Sequence, residues 1–510
     1  MTRRLIVAIV SVACAGASAS AHEGAGGTEP APPTTFTIAT ASDVLTLDPH
    51  QANDTATFRV LRHVYETLVS YDADLGVVPS LAASWQRIDG RTWEFELRPG
   101  VVFHDGTPLR AADVARSLER LRDPAFAAPA SFLLQMLETI DAVGDDVVRL
   151  TTGEPFAPLI NHLAHPAAAI VSAATLQGRE GGEAGALPGT GPYHIERWDP
   201  ATRLVLRRFD EWWGSPDGPT SLVFRPVPDP AVPAIELEVG AADIAFDLLA
   251  LDAARLERRP SLRVESVETL LTHDVGFNTC KPPFDDPRVR RAIGHGLDLP
   301  GLVAAVYDGA ATRARGPLPA GTFGAVDDLE PRPYDADRAR AALRDAGFGD
   351  RLTASLFTLP DPRMMAAAEI VQAQLADIGI DVRIVTSDAG AFLADTAAGQ
   401  HDLFILGWGT VTGDADYGLY APFHSSQGGA GGNRSFYANA RVDVLLDLAR
   451  GSLHAHDRLA AYHEAQRIIH DDAPWIYLAR PIDLTAYRSE ITGFAPQPTM
   501  LHRLEALERR

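Results

Sequence analysis

The sequence predicts an α/β protein of more than one domain, and three observations carry that reading. The chain has 510 residues, past the length at which a single hydrophobic core usually stops growing. From about residue 336 onward, short apolar runs alternate with longer segments of helical period, the pattern of a parallel or mixed sheet covered on both faces. The composition is globular, 46% hydrophobic and 22% charged, without low-complexity tracts or repeats.

Taken in order, Met1 to Ala21 reads as an export signal. Arg3 and Arg4 form its positive end, Leu5 to Ala17 its apolar stretch, and Ala19-Ser20-Ala21 a small-residue cleavage site. Ser11-Val12-Ala13-Cys14 has serine where a lipid-attachment box usually has a branched aliphatic, so plain export is expected over lipidation. Residues 22–35, rich in Gly, Pro and Ala, form a leader expected to be flexible. No later apolar run reaches the roughly 18 residues a membrane span needs. A soluble, periplasmic mature protein is therefore expected.

Phe36 to Thr40 alternates as a first strand and runs into a loop carrying Asp43 and ending at Pro49. Phe58, Leu61, Val64, Tyr65 and Leu68 predict a helix over 56–69. Trp93–Leu97 and Val101–His104 read as strands, Asp105–Pro108 as a turn, and 113–122 as a helix with Val114, Leu118 and Leu121 on one face. Residues 141–150 suggest a hairpin. The glycine-rich stretch Gly178–Gly191 ends in GTGPY, but it lacks the lysine and following helix of a phosphate-binding loop, so it reads as a structural turn before a strand at 204–208. Residues 269–277 form a strand, and Pro287 opens a helix through Leu297. Helices at 336–346, 363–378, 442–449 and 457–471 then alternate with strands at 352–358, 380–386, 403–406 and 475–479.

Charge and cysteine count exclude several classes. The formal charge of −22 argues against nucleic acid or an anionic membrane as partner, since both need basic patches. Lys281 is the only lysine among 45 basic residues, a bias that fits base composition better than selection for bidentate ion pairs, so Lys281 is not assigned a Schiff-base role. Of two cysteines, Cys14 lies in the export signal, so Cys280 has no intramolecular partner and a cysteine zinc site is excluded. His104-Asp105 sits in a turn with no nucleophile nearby. His162/His165 and His454/His456/His463 have ligand-like spacing but no HExxH arrangement, and read as surface histidines. No metal and no cofactor is expected.

The stretch His401–Tyr437 carries the binding chemistry. Leu403–Leu406 reads as a buried strand, and Trp408 follows at its C-terminal end, where open α/β sheets place ligand crevices. Next comes a loop with Gly413, Asp414 and Asp416 beside Tyr417 and Tyr420. An aromatic with carboxylates suits a ligand with a cationic end and an apolar body. The other reading makes Trp408 core and the aspartates turn formers.

PSLAASW and WEFELRPGVVFHDGTPLRAADVARSLER, at 79–121, resemble the signature of the large extracellular solute-binding proteins of peptide-type and nickel-type ABC importers. The resemblance continues through YETLV at 65–69, GTGPY at 189–193, GFNTCKPPFDDPRVRRAI at 276–293, QLADIGIDV at 374–382, GWGTVTGDADYG at 407–418 and IIHDDAPWIYL at 468–478. It implies a two-lobed periplasmic-binding-protein fold with an extra subdomain: lobe I at 36–273 with an insert near 80–185, lobe II at 274–484, and a return to lobe I at 485–510. It also implies a monomeric binder without enzymatic activity, which closes on a hinge near Leu271–Asn278 and Asp483–Arg488 and delivers its ligand to permease subunits with their ATPases. GW followed six residues on by Asp414 is similar to dipeptide-binding members, where that aspartate meets the ligand ammonium. Arg363 stands near the arginine those members use for the ligand carboxylate. The loop and C-terminal residues look like glutathione or short-peptide binders; nickel-chelate, haem and oligosaccharide ligands are the alternatives. A secreted hydrolase is the rival class, and neither a GxSxG elbow nor a metalloprotease helix is present.

Overall fold

The structure is a computed structural model, described for residues 34–177, 186–215, 217–348 and 352–510. The expected export signal and nearly all of the leader lie outside the described residues, as does Cys14. A mixed sheet forms the frame. Its order runs from Ile380–Thr386 through Leu352–Thr358, Leu403–Gly409 and Leu271–Phe277 to the long strand Trp475–Arg488. It continues through Ile244–Ala245, Thr35–Thr40, Ser221–Pro226, Arg203–Arg208 and Tyr193–Asp199.

The strand Trp475–Arg488 joins the two lobes. Its first half pairs with Leu271–Phe277, and its second half, from Ile482, pairs with Leu262–Glu268. The partner change therefore falls at Pro481–Ile482 and between Glu268 and Leu271, slightly upstream of both expected hinge segments. Apolar packing divides the same way. One core gathers residues between Phe36 and Phe246 together with Tyr487, Ile491, Leu504 and Leu507; two others lie between Val275 and Ala479.

A separate four-stranded antiparallel sheet is inserted in lobe I, from Ala82–Arg87, Thr92–Leu97, Val147–Thr152 and Leu137–Val143. The helix Ala111–Arg122 belongs to this insert, with Val114, Leu118 and Leu121 fully buried, the face its spacing predicts. Asp113 closes its first turn by accepting from the backbone N–H of Arg110 at 2.9 Å.

Three local expectations are corrected. The helix expected over 56–69 stops at Leu61, because the carbonyls of His63 and Val64 accept from Tyr193 and Gly191 N–H, both at 3.0 Å. That is also why GTGPY needs glycine: a Cβ on Gly189 would lie 2.0 Å from the Val64 carbonyl oxygen. The expected strand at 101–104 reduces to one bridge between Val102 and Pro108. The segment after Trp408 is not a loop throughout, since Ala415–Phe423 is helical.

Candidate binding cleft

The strand Leu403–Gly409 is buried over its first three residues by the apolar run the sequence shows. It delivers Trp408, whose indole packs against Tyr417 with ring centroids 5.8 Å apart. Trp408 Nε1 is buried and forms no hydrogen bond. Gly413 takes φ of +63°, a conformation glycine adopts without penalty, and there the chain turns into the helix.

Asp414 caps that helix, accepting from Asp416 N–H at 2.9 Å. Only 2% exposed, its carboxylate takes Arg458 Nη2 on both oxygens at 2.8 Å. The structure thus differs from the expectation of a carboxylate offered to a ligand: in lobe II the charge of Asp414 is already matched. Asp416 is likewise buried and receives Nε and Nη2 of Arg450 at 2.9 and 2.8 Å. Burial opposes its ionisation, but the Arg450 guanidinium outweighs burial and holds its carboxyl below the usual range. The sequence signal missed here is a capping one, an aspartate followed two residues on by a second carboxylate in the first turn, which Gly418 and Pro422 further along the helix obscure.

This segment lies against lobe I. Tyr71 Oη donates to the Thr412 carbonyl, and Asn161 Nδ2 reaches the same oxygen at 3.2 Å. Phe132 stacks obliquely on Tyr417 at 5.8 Å. Arg450 lies 3.2 Å from the Tyr420 ring centre and 5.3 Å from that of Phe156 in lobe I. His162 Nε2 faces Asp416 at 3.8 Å, while Nδ1 is bonded to the Leu133 carbonyl at 2.9 Å.

Two chambers flank the C-terminal segment Gln497–Leu501, which two arginines of one helical turn hold in place. Arg59 Nε donates to the Met500 carbonyl at 3.1 Å, and Arg62 Nη1 to that of Leu501 at 2.6 Å. Toward the crossing strands, a cavity of about 270 Å³ is lined by Thr269, Leu271, His273, Arg363, Asp247 and Met500. Arg363 is exposed there, and its guanidinium makes no ion pair or hydrogen bond among the described residues. His273 beside it, bonded through Nδ1 to Tyr307 Oη at 2.5 Å, is driven down to about 4 by burial and stays neutral.

The other chamber, about 190 Å³, lies in lobe I and is closed by Val411 of lobe II. Its charged lining is Arg62, Glu66, Arg503 and Glu505, with Trp212 and Trp213 as aromatic walls. Trp213 Nε1 donates to both Glu66 oxygens at 3.1 and 3.0 Å, and Trp212 Nε1 to one of them at 3.3 Å. Burial pushes the Glu66 carboxyl up to about 7 against those donors. Sequence reading missed these residues because an isolated YETLV glutamate and an adjacent tryptophan pair, far apart in the chain, carry no local signature of meeting. Asp43 lies away from both chambers, accepting from Val44 N–H and from Ala201 N–H. Gly413, Asp414, Asp416 and Tyr417 line neither chamber but form the lobe II segment beside Val411. Among the described residues no group of three His, Cys, Asp or Glu could hold a metal ion. Cys280 is exposed and unpaired.

Two lobes sharing one crossing strand, with charges of both signs lining the chambers beside it, make the two-lobed α/β architecture of a binding protein. Residues 76–430 match the model of the bacterial extracellular solute-binding proteins, family 5, and the chain belongs to that family. It is 33% identical to the glutathione-binding protein GsiB of Pectobacterium atrosepticum over 92% of this chain and 93% of that one. To GsiB of Escherichia coli K12 it is 32% identical, over 90% and 92% of the two chains. Among solved structures it superimposes on the periplasmic binding protein DppA of Helicobacter pylori, in complex with the peptide STSA, with a TM-score of 0.83, 27% identity and coverage of 94% and 98%. Among the described residues no helix is long and apolar enough to cross a membrane.

Proposed function

We propose that this protein is exported to the periplasm and captures short peptides, tripeptides such as glutathione included, for an ABC importer. It acts as a monomer, closes on the peptide between its lobes, and presents the closed form to the permease subunits and their ATPases. The observation that carries this reading is the seating of the lobe II segment 411–417 on lobe I over chambers bearing charges of both signs. A peptide has an ammonium, a carboxylate and a polar backbone, and such a cleft meets all three. At about 190 and 270 Å³ the chambers fall below the ~300–1,000 Å³ of pockets for drug-sized ligands, which favours two or three residues over a long oligopeptide.

Arg363 is the residue this reading assigns to a peptide carboxylate, because its guanidinium is unpaired and faces the cleft. Asp414, Asp416, Gly413, Tyr417 and Trp408 act by holding the lobe II segment in its closed position. Titration calorimetry with dipeptides, glutathione, a nickel–histidine chelate and haem tests the assignment. Saturable peptide binding with one site per chain is expected; tight binding of the chelate or of haem with none of a peptide would overturn it.

A further inference from the structure

We propose, resting on the short-peptide reading, that the chamber lined by Arg62, Glu66, Trp212, Trp213, Arg503 and Glu505 selects a ligand end carrying both an ammonium and a carboxylate on one carbon. A γ-glutamyl peptide has such an end; an ordinary α-linked peptide does not.

Two arginines and two glutamates surround a space of about 190 Å³, so cationic and anionic recognition are confined to one small volume. In an α-linked peptide the terminal ammonium and carboxylate are separated by at least one peptide unit, and each residue adds up to ~3.3–3.6 Å. In an amino-acid head they sit on the same Cα, each about 1.5 Å of covalent bond from it. Only the second kind of group presents both charges from a single carbon; the terminal carboxylate of an α-linked peptide lies at least a peptide unit away, and the side-chain carboxylate of an amino-terminal Glu stands two methylenes further from its ammonium.

The lining groups have capacity left for it. The Arg62 guanidinium uses Nη1 on the Leu501 carbonyl and makes no other hydrogen bond among the described residues. Arg503 uses Nη2 on Ser70 and the Tyr71 carbonyl, while its Nη1 stands 3.8 Å from Glu505, too far for a hydrogen bond. Both guanidiniums thus keep N–H groups for a carboxylate. Glu66 is aimed by two indole N–H groups, which fix its plane while leaving lone pairs for an ammonium. Glu505 Oε2 is buried and makes no hydrogen bond among the described residues, with His63 Nδ1 standing 3.6 Å from it. The tryptophan faces line the aliphatic part of the head, and Val411 marks where the rest of the peptide leaves toward lobe II. An unoccupied carboxylate held near neutrality by burial gains charge stabilisation when an ammonium arrives, which agrees with the geometry.

The test compares two isomers that differ only in linkage, γ-Glu-Cys-Gly and α-Glu-Cys-Gly, by calorimetric titration of the full protein under reducing conditions. Glu66→Gln and Arg503→Gln are measured alongside; the Arg503 side chain is 41% exposed, so that variant folds even if the buried glutamate does not tolerate change. The γ isomer is expected to bind about tenfold or more tighter, and either variant to reduce that advantage, since hydrogen bonds to charged groups are at stake. A γ preference below about tenfold, or one that survives in both variants, overturns this inference and leaves the short-peptide reading standing. If neither isomer binds, and dipeptides do not either, both readings fall together.

Discussion

Replacing Asp414 by alanine separates two accounts of the segment that the sequence singles out. Read from the sequence, its carboxylate faces a ligand ammonium, and its loss costs ~3 kcal/mol of affinity, about a hundredfold. Read from the structure, it is a structural charge. Asp414→Ala removes the cap on Asp416 N–H, a contribution of ~1 kcal/mol. It also strips both carboxylate contacts from Arg458, whose side chain is 10% exposed. That guanidinium keeps only the Ala449 carbonyl at 3.0 Å and Tyr462 Oη at 3.2 Å. Leaving one partner of a buried pair uncompensated costs ~3–5 kcal/mol, and the cap belongs to the same carboxylate, so the two are not summed. Against a folding free energy of roughly 5–15 kcal/mol this is a large fraction. Urea unfolding, read as a midpoint shift at constant slope, measures it. The loss of stability should exceed any loss of peptide-binding free energy, and Arg458→Met in the Asp414→Ala background should recover about 1 kcal/mol or more. Stability within about 0.5 kcal/mol of wild type, with affinity down about a hundredfold, would refute the structural reading.

Further expectations follow from other parts of the fold. Gly189→Ala should lower soluble yield and the thermal midpoint sharply, because its Cβ would meet the Val64 carbonyl oxygen at 2.0 Å, a backbone atom that cannot move aside cheaply. Tyr71→Phe removes the hydroxyl that reaches the Thr412 carbonyl across the lobes, so small-angle scattering of the ligand-free variant should show a larger radius of gyration; an unchanged radius would mean this contact does not hold the closed form. Glu66 gives a pH signature. Its folded carboxyl stands at about 7 against an ordinary 4.5, so between those values the folded chain holds a proton the unfolded chain has lost. The stability this group contributes is complete below 4.5 and is lost as pH rises through about 7, and Glu66→Gln should flatten that decline between about pH 4.5 and about pH 7 in thermal unfolding of the ligand-free protein.

What the sequence made legible was what is local. The strands Leu352–Thr358 and Ile380–Thr386 and the helix Pro362–Asp377 match the sequence reading to within a residue or two because each shows one clear period. The helices Leu299–Tyr307 and Ala389–Ala397 and the extension of the strand from Trp475 to Arg488 carry no such signal and are not predicted. The helix at 56–69 was overextended because its apolar spacing continues past Leu61, while the groups that end it, Gly191 and Tyr193, come from more than a hundred residues away. The pairing of Asp414 is hidden for a related reason: a carboxylate beside glycine looks free in the sequence, and Arg458, which pairs with it, lies on a helix 44 positions later. The chamber of Glu66 and the tryptophan pair depends wholly on tertiary placement, with Trp213 147 positions from its glutamate.

The most direct check on peptide capture is a native mass spectrum of the protein purified from its own compartment without refolding. One small peptide per chain, released on denaturation and sequenced by fragmentation, is the predicted outcome. A released porphyrin, sugar or metal chelate in its place would contradict it.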